Sequence, residues 1–133
     1  MTRRLPVGNA RMSSRLLDVL ALVEWRRPLD ESIEALSKFP WDYEGPPQEF
    51  RAAHVKGALG RYTRGEVTAN EIENWANAIE MRDDLEFEAQ NFTNLTELIF
   101  ELANPVLTEA LTKERAIALL QNLEKSDLTF EGK

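Results

Sequence analysis

The sequence predicts an all-α fold, a compact single-domain bundle of about five to six helices. Three observations predict it. Apolar residues recur at helical spacing in successive stretches, and no pair of alternating runs is present to build a sheet. Proline, glycine and capping residues punctuate these stretches at short intervals, which keeps the connections short. The chain has 133 residues, 43% apolar and 29% charged. That is enough to bury one ordinary core and too apolar for wholesale disorder.

Residues 1–12, with Arg3, Arg4, Pro6, Gly8 and Arg11, show no apolar period and read as a flexible basic tail. The helical domain spans 13–125. The first helix starts at Ser13 or Ser14, carries Leu16, Leu20 and Val23, and is widened by Leu17, Val19 and Leu22. Trp25, Arg26 and Arg27 close it, cations being favoured at a helix C-terminus. Pro28 suits the first position of a second helix, with Asp30 and Glu31 in its first turn and Leu29, Ile33 and Leu36 as its stripe. Pro40 ends it.

Phe39 to Pro47 reads FPWDYEGPP, a loop of three rings among acids and prolines. Two readings stand: rings folded into the edge of the core, or exposed aromatic anchors for a partner. A third helix is expected from Pro47 to Arg64 on Phe50, Val55, Ala58, Leu59 and Tyr62. Gly57 and Gly60 inside it each cost up to ~1 kcal/mol against alanine. They either permit a close crossing or mark an irregular turn. Gly65 then falls at C′.

The fourth helix has the clearest start in the chain. Thr68 and Glu71 form a T-x-x-E capping box, and Val67 and Ile72 sit where a hydrophobic staple would close over it. Ile72, Trp75, Ala76 and Ile79 make its buried stripe. RDDLEFEAQN follows Met81, with Leu85 and Phe87 alternating against Asp84, Glu86 and Glu88 as a short strand would. Lacking a second alternating run to pair with, it is expected to be loop or a short helical turn. A fifth helix begins near Thr93 or Asn94 on Leu95, Leu98, Ile99 and Leu102, with Phe100 adding bulk, and stops at Asn104-Pro105. Thr112 caps the last, whose stripe is Ala116, Leu119, Leu120 and Leu123. Residues 126–133 read as a polar C-terminal tail.

Composition removes several functions. The absence of cysteine excludes a disulfide framework, a thiolate zinc site and a cysteine nucleophile, and it fits a reducing, cytoplasmic location. The apolar stretch Leu16–Val23 is broken by Asp18 and is far short of the ~18 residues that span a bilayer, so neither a secretory leader nor membrane association is expected. Net charge is −7 with a pI near 4.8, and it is segregated. Residues 1–64 carry 11 Lys+Arg against 8 Asp+Glu, a net +3, while residues 65–133 carry 5 against 15, a net −10. Such a surface repels phosphate backbones. A helix-turn-helix drawn through Val55–Glu80 fails on the same ground, because its second helix presents Glu71, Glu73 and Glu80 and no cation.

No catalytic constellation is legible. His54 is the single histidine, so a two-histidine metal site is out of reach. Asp83, Asp84, Glu86 and Glu88 lack the alternation and mid-loop glycine of an EF-hand. There is no G-x-S-x-G elbow, no Walker lysine, and nothing that sets two carboxylates in an apolar pocket. The sequence therefore calls for no enzyme, no cofactor and no metal, with a metal-assisted hydrolase on Asp83 and Asp84 kept as a third reading.

A protein partner is the remaining class. Residues 66–101 hold ten acids against one base, Arg82. This face either solubilises the bundle or steers a cationic partner. The candidate partner-binding residues are Glu71, Glu73, Glu80, Asp83, Asp84, Glu86 and Glu88, with Trp41 and Tyr43 as aromatic anchors.

Leu59-x-x-Tyr62-x-x-Gly65-Glu66-Val67-Thr68, then Trp75-Ala76 and the acidic run, resembles the small helical immunity proteins of bacterial colicin-like and contact-dependent toxin systems. The resemblance covers roughly residues 55–88. It implies an acidic cytoplasmic inhibitor that blocks a basic nuclease toxin. The residues named above rest on charge and not on that likeness. The competing expectation is a scaffold or regulatory subunit that forms a homodimer through an apolar helix face, its acid serving solvation alone.

Overall fold

The computed structural model describes residues 14–40, 42–80 and 82–131, with side chains described through residue 125. The expected N-terminal tail, residues 1–12, lies outside the described residues, as does Trp41. Helix α1 (Ser14–Val23) buries Leu16, Val19, Leu22 and Val23 and stops at a left-handed residue. That residue is Trp25, at φ 54°, and the chain closes over it with the Arg26 N–H donating to the Ala21 carbonyl at 2.9 Å. A bulky side chain in this region is strained by roughly 1–3 kcal/mol, and it persists only where packing holds it. Here the Trp25 ring stacks on Trp75 with centroids 5.7 Å apart.

Helix α2 (Leu29–Leu36) packs against α1, with Asp30 and Glu31 in its first turn as expected. The next segment departs from the sequence reading. The first turn of the expected third helix is instead strand β1 (Gln48–Phe50), and α3 runs from Ala52 to Thr63. The expected loop after Met81 holds strand β2 (Leu85–Phe87), which pairs with β1 in parallel, Gln48 opposite Leu85 and Phe50 opposite Phe87. Pro46-Pro47 favour extended backbone at the entry to β1. The alternation at β2 is visible in the sequence, but β1, three residues of a run read as helix, is too short to register as its partner. Their pairing spans α3 and α4, so neither strand betrays the other locally.

Helix α4 (Ala69–Ile79) starts as the sequence predicts. The Glu71 N–H donates to the Thr68 hydroxyl at 3.1 Å, and the Thr68 N–H donates to the Glu71 carboxylate at 2.9 Å. Gly65, at φ 80°, makes the preceding turn. After a 3-10 turn (Ala89–Asn91), α5 (Phe92–Ala103) begins one turn's fraction earlier than expected. Helix α6 (Lys113–Glu131) follows Thr112, whose hydroxyl accepts the Arg115 N–H at 3.1 Å. Its backbone continues through residues 126–131, where the sequence reading had placed a tail.

The described residues thus form six α-helices around one two-stranded sheet, a helical domain as predicted. Helix α4 packs on α5 and α3 on α6, with α1, α2 and the sheet closing the other side. The core centres on Trp75, wholly buried, whose indole N–H donates to the Leu22 carbonyl at 2.9 Å. Phe50 sits 6.0 Å from Trp75 and 5.0 Å from Phe87, ring centre to ring centre, so the small sheet is cemented into the helical core by aromatics. No helix among the described residues is long and apolar enough to cross a membrane.

Candidate functional site

Of the ten acids of residues 66–101, Glu66 and Glu101 are held in ion pairs by Arg64 and Arg115, and the fold sorts the other eight into three kinds. Some are internal. Asp84 is fully buried and accepts from Arg15 Nε at 2.8 Å and from Arg82 Nε and Nη2 at 2.8 and 3.0 Å. Burial by itself pushes this carboxyl up, but the bonds from Arg82 and Arg15 outweigh it and hold Asp84 below the usual carboxylate range. Asp84 is therefore not part of an exposed acidic face, and its sequence-based place there is corrected. A carboxylate flanked by two guanidinium groups is satisfied within the protein and has no charge left for a partner.

Arg15 ties this cluster to the aromatic loop. Its Nη2 donates to the Pro40 carbonyl at 3.0 Å, and its guanidinium lies 4.7 Å from the Tyr43 ring centre and 5.5 Å from that of Phe39. Tyr43 is half-buried, its hydroxyl donating to the Pro46 carbonyl at 2.7 Å. Of the two loop readings, Tyr43 and Phe39 follow the first: both fold inward over a buried cation.

A second kind of acid caps helices. Glu71 closes the α4 capping box, and Glu88 accepts the Ala52 N–H at 2.6 Å at the α3 N-terminus, where the helix dipole favours a negative charge. His54 completes that same N-terminus. Its Nδ1 accepts the Arg51 N–H at 2.9 Å, so the neutral ring carries its proton on Nε2. Burial, the largest influence, lowers its pKa, Glu24 pulls the other way, and the net shift is downward. His54 is a capping group in its neutral form.

The third kind faces outward. Glu73, Glu80, Asp83, Glu86 and Glu97 make no ion pair with any described residue. Three of them converge. Glu80, Glu86 and Glu97 rim a groove of about 640 Å³ between β2 and α5, whose apolar wall is Phe87, Phe92, Ile99 and Phe100. Phe92 is 56% exposed and Phe100 44%, a notable amount of ring surface left to solvent. Phe92, Thr96 and Phe100 fall at i, i+4 and i+8, one face of α5 beside its buried stripe, with Ile99 of that stripe at the groove's base.

Asp83 lines a smaller cavity of about 330 Å³ with Arg15, Phe39 and Arg82, shared at its edge by Glu80. Both guanidinium groups there are turned to Asp84, so this cavity offers no open cationic cradle. Glu73 lies apart, near Pro105 and Glu109. Among the described residues no three of His, Cys, Asp and Glu converge on a metal-sized site.

The structure thus brings Glu80 and Glu86 together and separates them from Glu71, Glu73, Asp84 and Glu88. Sequence reasoning missed Phe87, Phe92, Phe100 and Glu97. The available signal was the second apolar face of α5, visible as Phe92 and Phe100 lying off the Leu95–Leu102 stripe. No protein-family model, curated protein or solved structure matches the chain.

Proposed function

We propose that this chain is an acidic helical protein-binding module, an immunity- or antitoxin-type inhibitor of a basic bacterial toxin. The groove between β2 and α5 is its docking surface. The observation that carries the reading is the arrangement of that groove: exposed rings in its wall and, beside them, three carboxylates that pair with no described residue. Apolar centres ringed by charge are how specific interfaces divide affinity from steering. The acids Glu80, Glu86 and Glu97 attract a cationic protein, and Phe87, Phe92 and Phe100 receive its apolar side chains. Blocking a toxin needs no chemistry from the inhibitor, only occlusion.

Self-association is the competing reading, and the rim argues against it through this face. A two-fold dimer brings the same patch against itself, so the Glu80, Glu86 and Glu97 carboxylates of one copy would be crowded onto a surface of the same sign. Like charges so placed oppose the contact.

Co-expression with a basic toxin domain tests the proposal. The expected outcome is rescue of growth and a complex that weakens steeply as salt rises. Reversing Glu80, Glu86 and Glu97 to lysine should weaken it by about tenfold or more and abolish rescue, with helical content by circular dichroism unchanged. Rescue by the triple variant equal to that of the parent overturns the assignment. A dimer in sedimentation, indifferent to ionic strength and lost on replacing Phe92 and Phe100, establishes self-association instead.

A further inference from the structure

The outer edge of β2 is a strand edge that no described residue uses, and it borders the groove. The ladder determines which main-chain groups face outward. Gln48 N–H donates to the Asp84 carbonyl at 2.9 Å, and Glu88 N–H donates to the Phe50 carbonyl at 2.9 Å. Glu86 lies opposite Glu49 between these two bonds. Successive residues of a strand direct their N–H and C=O groups to opposite sides. Asp84, Glu86 and Glu88 therefore serve β1, while the N–H and C=O groups of Leu85 and Phe87 point away from it. Outside that pairing, no described residue supplies a hydrogen bond to these four groups.

The two edges of the sheet are not equivalent. Helix α1 packs against β1, and the Glu49 carbonyl there already accepts from Gln48 Nε2 at 3.0 Å. The β2 edge has the groove beside it. Leu85, Glu86 and Phe87 all line that groove, although side chains of consecutive strand residues point to opposite faces. Three residues in succession line one groove when the backbone edge itself is the wall. The facing wall is the aromatic side of α5.

Resting on the binding reading above, we propose that the partner enters this groove as an extended strand. It adds to β2 through the N–H and C=O groups of Leu85 and Phe87, the β-augmentation mode of recognition. The alternation of the sheet dictates the incoming sequence. Side chains on the Phe87 face are apolar and meet Phe92 and Phe100, and those on the Glu86 face are basic. The same Glu86 protects the edge from a second copy of this chain, because pairing β2 with β2 sets like charges beside each other. A cationic strand meets the opposite condition.

The test uses the full chain and a synthetic heptapeptide of alternating arginine and valine. Three companions control it: the same composition reordered to helical spacing, and the alternating peptide N-methylated on alternate amides in each of the two registers. Strand addition predicts that the alternating peptide binds more tightly than the helical one. N-methylation should weaken binding about tenfold or more in the register that faces β2 and leave the other within about twofold, since each edge hydrogen bond lost is worth about tenfold. Hydrogen exchange at the Leu85 and Phe87 amides should slow on binding by about the same factor. Equal binding in both registers with unchanged exchange at Leu85 and Phe87, while Phe92 and Phe100 resonances still shift, overturns strand addition and leaves the acidic groove standing as a site for cationic segments. Failure of every arginine peptide to bind or to shift Phe92 and Phe100 overturns the groove reading, and strand addition with it.

Discussion

Asp84 carries a full charge where the fold admits no solvent, and Arg15 and Arg82 are what make that tolerable. Removing one member of such a buried set leaves the others uncompensated, typically at about 3–5 kcal/mol. Asp84→Ala should lower stability in urea by that order at neutral pH. The loss should shrink in acid, because a folded-state pKa below the ordinary value yields stability that is present above that value and lost as pH falls through the folded one. His54 works in the same sense at higher pH. Its folded pKa lies below the ordinary 6.5, so the unfolded chain binds more protons in that window and stability declines as pH falls from about 6.5. His54→Gln keeps an acceptor for the Arg51 N–H without titrating. Urea midpoints between pH 7.5 and 5 should slope for the parent and be flatter for this variant. Neither role was legible in the sequence: Asp84 looked like one acid among ten, since its arginine partners sit 69 and 2 residues away, and only the first distance depends on the fold.

At the scale of elements, the caps were legible and the strands were not. The Thr68–Glu71 box is written within four residues, and the structure contains it as read. Thr68→Ala should cost about 1 kcal/mol by thermal or urea unfolding. Gly57 resolves differently. An added Cβ there meets nothing within 4 Å, so no close crossing requires it, and α3 is regular through it. Gly57→Ala should stabilise the protein by up to about 1 kcal/mol, as expected for an exposed helix interior. The β1–β2 pair escaped prediction because each strand has three residues and its partner lies across two helices. In isolation QEF and LEF carry no more strand signal than many helical triplets, and pairing supplies what propensity does not.

Across the whole molecule, the sign of the charge is set by composition and its placement by packing. The sequence by itself determined the helical frame, because caps and apolar periods act over three to seven residues and are written contiguously. It also determined that residues 66–101 are acidic. Tertiary structure decided where those acids stand: Asp84 went inside, Glu71 and Glu88 went to helix ends, and Glu80, Glu86 and Glu97 came to one groove. It likewise decided that Phe87, Phe92 and Phe100 share a groove beside an open strand edge. Such convergence depends on contacts between segments far apart in the chain: the local pattern marks the Leu95–Leu102 stripe of α5 as core but does not record what stands beside its other face. The groove exists because α5 buries its Leu95–Leu102 stripe against α4, and no described element covers its second face.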